Sequence, residues 1–211
     1  MPQPPKTSSA DRIPGRPTLK TVRAAARDCR ACDLWKTGTQ TVFGEGPARA
    51  RLMLVGEQPG DEEDLKGRPF VGLAGRLLRK LIEEAGLERR DCYLTNAVKH
   101  FGWEPRGKRR IHKTPVQRSV AACHAWLDGE IAAVRPKVIV ALGATALAAL
   151  TGERGVAASR RTVLRHSTGA HVIATYHPSA ALRAPVPTTR AELRRTIAED
   201  LARAARLLRE D

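Results

Sequence analysis

RLMLVGEQPGDEEDLKGRPFVGLAG, residues 51–75, joins a short apolar run to a polar, turn-rich stretch and then to the start of a helical pattern. The run RLMLVG (51–56) has strand length and no polar alternation, which predicts a strand buried on both faces. GRLLRKLIEEAG, which begins at Gly75, carries the spacing of an amphipathic helix. The unit recurs along the chain. CYLTNAV (92–98), KVIVALG (137–143) and HVIATYHP (171–178) are further strand-length runs, and SVAACHAWLDGEIAAV and ATALAALTG follow the first two of these as helices. TTRAELRRTIAEDLARAARLL reads as a long closing helix, with threonine available as its cap. Strands separated by helices predict an α/β fold with three layers, α/β/α, around a central, mostly parallel four-stranded sheet. Residues 18–211 make that single domain. Residues 1–17 lack the apolar stretch of a signal peptide and read as a flexible tail.

Ligands of an open parallel sheet collect beyond the carboxyl ends of its strands. The segments that leave those ends are GEQPGDEEDLKGRPFVG, KHFGWEPRGKRRIHKTP, GATA and HPSAALRAP. In the first, Gly56, Gly60 and Pro59 make a tight turn that carries Glu57, Gln58 and Asp61, and its amides can hold a carbonyl or a phosphate. Phe70 follows, set between rigid neighbours as either core or platform. In the second, Lys108, Arg109, Arg110 and Lys113 surround His112. Such a run is ordinarily solvated surface, but on this rim its cations can position phosphates. His177, Pro178 and Ser179 end the last strand at the same rim.

Lysine and arginine number 37 against 22 acidic residues, a formal charge of +15, which favours polyanionic partners. An arginine-rich codon preference gives the same balance. No apolar run approaches ~20 residues, so no membrane partner is expected and a cytoplasmic location fits. Hydrophobic residues make up 42% and aromatics 4%, so Ala, Val and Leu must fill most of the core. Four cysteines suit metal ligation or buried thiols better than disulfides in that compartment. Cys29 and Cys32 form a CxxC. Cys92 opens an apolar strand and reads as a small packed hydrophobe. Cys123 and His100 remain to complete a set that suits zinc or an iron–sulfur cluster, with zinc slightly the nearer by spacing.

Three ordered motifs resemble the uracil-DNA glycosylase superfamily and its iron–sulfur family-4-like group: GEQPGDEEDLKGRPFVGLAG, TNAVKH and HPSAALR. The resemblance spans Cys29 to the final helix. Gln58, where that group usually carries alanine, and the basic KRRIH loop are similar to the UdgX branch, whose members attach covalently to DNA after removing uracil. Leu73 departs from the proline often found at its position.

The resemblance implies a 4Fe-4S cluster on Cys29, Cys32, His100 and Cys123, with Cys92 left out. It also implies excision of uracil from DNA, single-stranded DNA being preferred, by a monomer. Gln58, Gly60, Asp61, Phe70, Asn96 and His177 would bind the base, with Phe70 stacking and Asn96 reading its O4/N3 edge. Lys108, Arg109, Arg110, Lys113, Ser179 and Arg183 would meet the DNA, and Leu182 would fill the vacated stack. His177 would stabilise the leaving uracil, and Glu57 the sugar cation. His112 would then bond to C1′ of the abasic site. The alternative is an ordinary turnover glycosylase of the family-4 type that releases free abasic DNA.

Overall fold

A computed structural model describes residues 9–210 of the chain. The four expected strands are β1 (Leu52–Gly56), β2 (Cys92–Asn96), β5 (Val138–Leu142) and β7 (His171–Thr175). They pair in parallel in the order β2-β1-β5-β7. The sheet has five strands rather than four, because the two-residue β6 (Leu164–Arg165) adds antiparallel to the β7 edge. Two residues carry no periodicity, so such an edge leaves no mark in a sequence. A second correction lies in the basic loop. It is a separate antiparallel hairpin, β3 (Trp103–Arg106) and β4 (Arg109–His112), turned at Gly107, whose φ of 59° favours glycine. Pro105 and four cations had hidden it as a loop.

Every residue of β1, β2 and β5 is buried, as strands covered on both faces require. One face meets α3 (Leu73–Glu84) and α8 (Pro187–Glu210), and the other meets α4 (Gln117–Val134) and α5 (Ala144–Thr151). Alternate β1 side chains divide accordingly: Met53 and Val55 lie in one core, Leu52 and Leu54 in the other. α8 starts at Pro187, ahead of the threonines expected to cap it, because proline suits the first helical position.

A third, smaller core joins α1 (Leu19–Ala26) to α4 around Trp126, Val22 and Phe43. Of the stretch read as a tail, Ser9 donates to Ala122 O at 2.5 Å, and Arg12 lies 5.8 Å over the Trp126 ring. Residues 1–8 lie outside the described residues. No helix among the described residues is long and apolar enough to cross a membrane.

Candidate active site

The carboxyl ends of β1, β2, β5 and β7 enclose a cavity of ≈ 240 Å³. β1 contributes Glu57, Gln58 and Gly60, β2 Asn96, β5 Leu142 with Gly143, and β7 His177 with Ser179 and Arg183. Phe70 and Ala74 close one wall, and His112 reaches in from the hairpin. Two glycines set the spacing. A Cβ on Gly56 would collide with Asn96 Oδ1 and lie 2.8 Å from Phe70 Cζ, so both side chains can turn to the same point only over glycine. Gly75 lets the Phe70 backbone pack against α3, where any Cβ would strike the Phe70 carbonyl. Phe70 itself has φ 55°, an uncommon conformation for a bulky residue, so the surrounding packing must hold it there. Glu63 helps by accepting from Gly72 N at 2.8 Å.

The Asn96 side chain is 3% exposed, yet its amide has no hydrogen-bond partner among the described residues. It therefore presents both donor and acceptor to whatever enters. His177 is fixed in one tautomer. Its Nδ1 accepts from Ser179 N at 3.2 Å, which leaves the ring proton on Nε2. Burial depresses its pKa to about 4, so at neutral pH it is an uncharged donor.

Glu57 has two side-chain partners: Oε1 is 3.1 Å from His112 Nε2, and Oε2 accepts from Thr145 Oγ1. Burial pushes its carboxyl up, but bonds from His112 and Thr145 and the fields of His112 and His177 outweigh that and lower it. An ionised carboxylate thus stands beside an imidazole inside the cavity. The pairing depends on the hairpin. Gln58 Nε2 donates to Gly102 O and Lys113 O, both at 3.0 Å, and its Oε1 accepts from Gly102 N at 3.1 Å. One buried amide just past β1 therefore holds both strands of the β3–β4 hairpin at its open end.

These side chains belong to a domain with named relatives. Residues 43–202 match the model of the uracil DNA glycosylase superfamily. The chain belongs to that superfamily. The type-4 uracil-DNA glycosylase of Thermotoga maritima is 39% identical over 195 residues, 92% of this chain and 96% of the relative. That of Archaeoglobus fulgidus is 40% identical over 165 residues, 74% of this chain and 79% of the relative. The type-5 uracil-DNA glycosylase of Pyrobaculum aerophilum is 32% identical, over 90% of this chain and 86% of its own length.

The remaining expected site residues of this superfamily domain divide by strand alternation. Arg110 and His112 share the inner face of β4, and Arg109 points away. Arg110 is engaged with Asp61 Oδ1 at 2.5 Å and Asp64 Oδ2 at 2.7 Å, with its guanidinium 5.5 Å over Phe101 and 5.6 Å over Trp103. In this structure it latches the hairpin to α2 (Asp61–Lys66). Asp61, expected at the base, serves that latch and does not line the cavity. Lys108, Arg109 and Lys113 are exposed on the outer side, Lys113 within 3.6 Å of Glu104. Leu182 is half-buried on α7 (Pro178–Arg183).

Thr145, whose hydroxyl holds Glu57, was given no role by the sequence reading. Its only signal was its place in GATA, directly after a buried strand.

Cys29, Cys32 and Cys123 gather behind this site. Cys29 and Cys123 belong to the Trp126 core, and the Cys32 thiol is raised by burial and by nearby Cys29 against hydrogen bonds from Leu34 and Ser119. Burial pushes Cys123 up to about 12. Two N–H groups nonetheless point at sulfur: Trp126 Nε1 at 3.1 Å from Cys29 Sγ and Lys99 N at 3.3 Å from Cys123 Sγ. Sulfur-directed donors, with burial that disfavours the free thiolates of Cys32 and Cys123, fit ligands of a positively charged metal group. His100 lies alongside, its Nε2 3.1 Å from Thr41 Oγ1, and Thr41 caps the carbonyls of Ala26 and Arg27 just before Cys29. Among the described residues no three side chains of ligand type already converge on one point. Cys92 sits at the opposite end of β2, bonded to Glu88 O in another core.

Proposed function

We propose that this chain is a uracil-DNA glycosylase: it cleaves the N-glycosidic bond of deoxyuridine in DNA and releases uracil. The carrying observation is the convergence of Glu57, Phe70, Asn96 and His177 on one cavity, in a domain whose relatives bear that name. A uracil turned out of the stack would lie on Phe70, with its O4 and N3 facing the unpaired amide of Asn96. Cytosine presents the reversed pattern there and would leave buried groups unpaired. As the C1′–N1 bond breaks, its electron pair moves onto uracil, and the Nε2 proton of neutral His177 would stabilise the developing charge on O2. Ionised Glu57 would stabilise the cationic sugar and orient water, whose oxygen bonds to C1′ as its proton passes to the carboxylate. Exposed Lys108, Arg109 and Lys113, with Ser179 and Arg183 at the cavity mouth, would hold flanking phosphates. The substrate would be uracil-containing DNA, preferably single-stranded, bound by a monomer. Cys29, Cys32, Cys123 and His100 would hold a four-iron cluster, whose chemistry when bound is to cross-link these segments and, where accessible, to carry an electron.

The names of the relatives favour turnover with release of abasic DNA. One observation favours a second reading, covalent capture. His112 lies against Glu57 inside the cavity, so its free ring nitrogen could bond to C1′ in place of water while Glu57 takes the imidazole proton.

An oligonucleotide with one deoxyuridine tests both readings. Free uracil must appear, and its absence overturns the function. On a denaturing gel, capture requires a heat-stable slow band that His112→Ala abolishes. Free abasic DNA alone selects turnover.

A further inference from the structure

Behind Asn96 lies a charged pair with no contact to solvent. The side chains of Lys99 and Glu130 are both 0% exposed, and Lys99 Nζ lies 2.5 Å from Glu130 Oε2. The same ammonium donates to Asn96 O at 2.6 Å and to Thr95 Oγ1 at 2.7 Å. An ammonium has three donors, so all three are used. Glu130, on α4, is equally saturated: Oε2 also accepts from Thr95 Oγ1 at 2.7 Å, and Oε1 accepts from Gly44 N at 2.8 Å and Tyr93 OH at 3.0 Å. Asn96 alone of this network lines the cavity; Lys99, Glu130, Thr95, Tyr93 and Gly44 do not, and the chemistry of glycosidic cleavage does not use them.

Its placement gives it a purpose. Pairing of β2 with β1 ends at Asn96 opposite Gly56; two further amides, Ala97 N to Gly56 O and Val98 N to Glu57 O, carry the chain on, and Val42 N donates to Lys99 O at 2.8 Å. Lys99 then folds back three residues and seizes the carbonyl of Asn96. From the same residue, the main-chain amide donates to Cys123 Sγ at 3.3 Å. Lys99 is therefore bonded at one end to the thiol cluster and at the other to the peptide that carries the base-reading amide. A buried ion pair is a poor way to gain stability, since apolar side chains of the same volume do as well. It is a good way to fix a single arrangement.

We infer that Lys99 is a positioning residue for base discrimination: it holds the Asn96 peptide, through Glu130 and Thr95, in the one orientation that reads uracil. This rests on the proposed reading of uracil by Asn96. The ammonium acts through Asn96 and touches no substrate. Loss of the clamp lets the 96–97 peptide swivel, so the amide still meets a base but no longer penalises one that lacks a partner atom.

The test compares single-turnover release from two oligonucleotides, one carrying deoxyuridine and one carrying the 4-deoxy analogue, pyrimidin-2-one deoxyribonucleoside. Wild-type protein should prefer uracil, because the analogue has no O4 and no proton on N3, so at most one group of the Asn96 amide finds a partner. Three variants are compared: Lys99→Met; Lys99→Met with Glu130→Leu, which strands no buried charge; and Thr95→Val, which strips one bond from the ammonium and keeps the volume. In the folded Lys99 variants the uracil preference should fall about tenfold, and less in Thr95→Val. Their cysteine-bound iron content and far-ultraviolet spectrum serve as controls for folding. A merely structural pair would slow both substrates alike. An unchanged preference in every folded variant, Thr95→Val included, overturns the inference, whereas failure of the wild type to release uracil overturns the underlying function instead.

Discussion

Nε2 of His112 lies 3.1 Å from Oε1 of Glu57, although 55 positions separate them and Glu57 directly follows β1 of one sheet while His112 ends β4 of the other. The contact places a carboxylate and an imidazole together at the cavity wall. It is maintained from three directions: Thr145 on the far oxygen of Glu57, Gln58 at the base of the hairpin, and Arg110 along its inner face.

Thr145→Val removes one of the bonds that lower the Glu57 carboxyl and frees its outer oxygen. Uracil release should slow about tenfold at saturating DNA, with the DNA concentration for half-maximal rate unchanged. Single-turnover rates over a DNA titration measure both quantities.

Gln58→Ala leaves Gly102 N and Lys113 O without their partner, and Gly102 O with Lys113 N alone. Stranded buried groups of this kind cost about 1–3 kcal/mol each before water relieves them. Melting temperature should fall, and hydrogen exchange should quicken at the Gly102 and Lys113 amides while the β1–β5 amides stay protected.

Arg109 and Arg110 are neighbours in opposite settings, one exposed and the other bonded to Asp61 and Asp64. Arg109→Ala should weaken DNA binding uniformly and reduce the salt slope of log K by about 1, with thermal stability unchanged. Arg110→Ala should leave that slope nearly intact. It should instead loosen the hairpin and slow uracil release, because Asp64, fully buried, loses its cation.

His177 is neutral in the folded chain down to about pH 4, against about 6.5 when unfolded. The unfolded chain therefore takes up a proton first as pH falls. The resulting stability is complete above pH ~6.5 and is lost as pH drops toward 4. In His177→Gln the fall in melting temperature between pH 7 and pH 5 should be smaller than in the wild type.

Much of this was legible before any coordinates. Four buried strands announced themselves as unbroken apolar runs, and the rule for ligands at carboxyl ends then gathered Glu57, Phe70, Asn96, His112 and His177 on one rim. What escaped has physical reasons. β6 is too short for a pattern, and β3–β4 carries charge on both faces with a proline inside, so nothing marks it as a ladder. Without the ladder, the alternation that separates Arg110 from Arg109 could not be seen. Thr145 has no chemical signature of its own and acquires a role only because α5 begins beside Glu57. Nothing in the sequence separates Lys99 from the other cations of a basic chain, and only its burial against Glu130 sets it apart.

The central claim is uracil excision by this cavity, and the most direct measurement is free uracil released from a single-stranded oligonucleotide with one deoxyuridine. Wild-type protein should release close to one equivalent of uracil per oligonucleotide when protein is in excess. Glu57→Gln should slow that release about 100-fold while still binding the DNA. Absence of uracil from the wild-type reaction, or an undiminished rate in Glu57→Gln, would contradict the account.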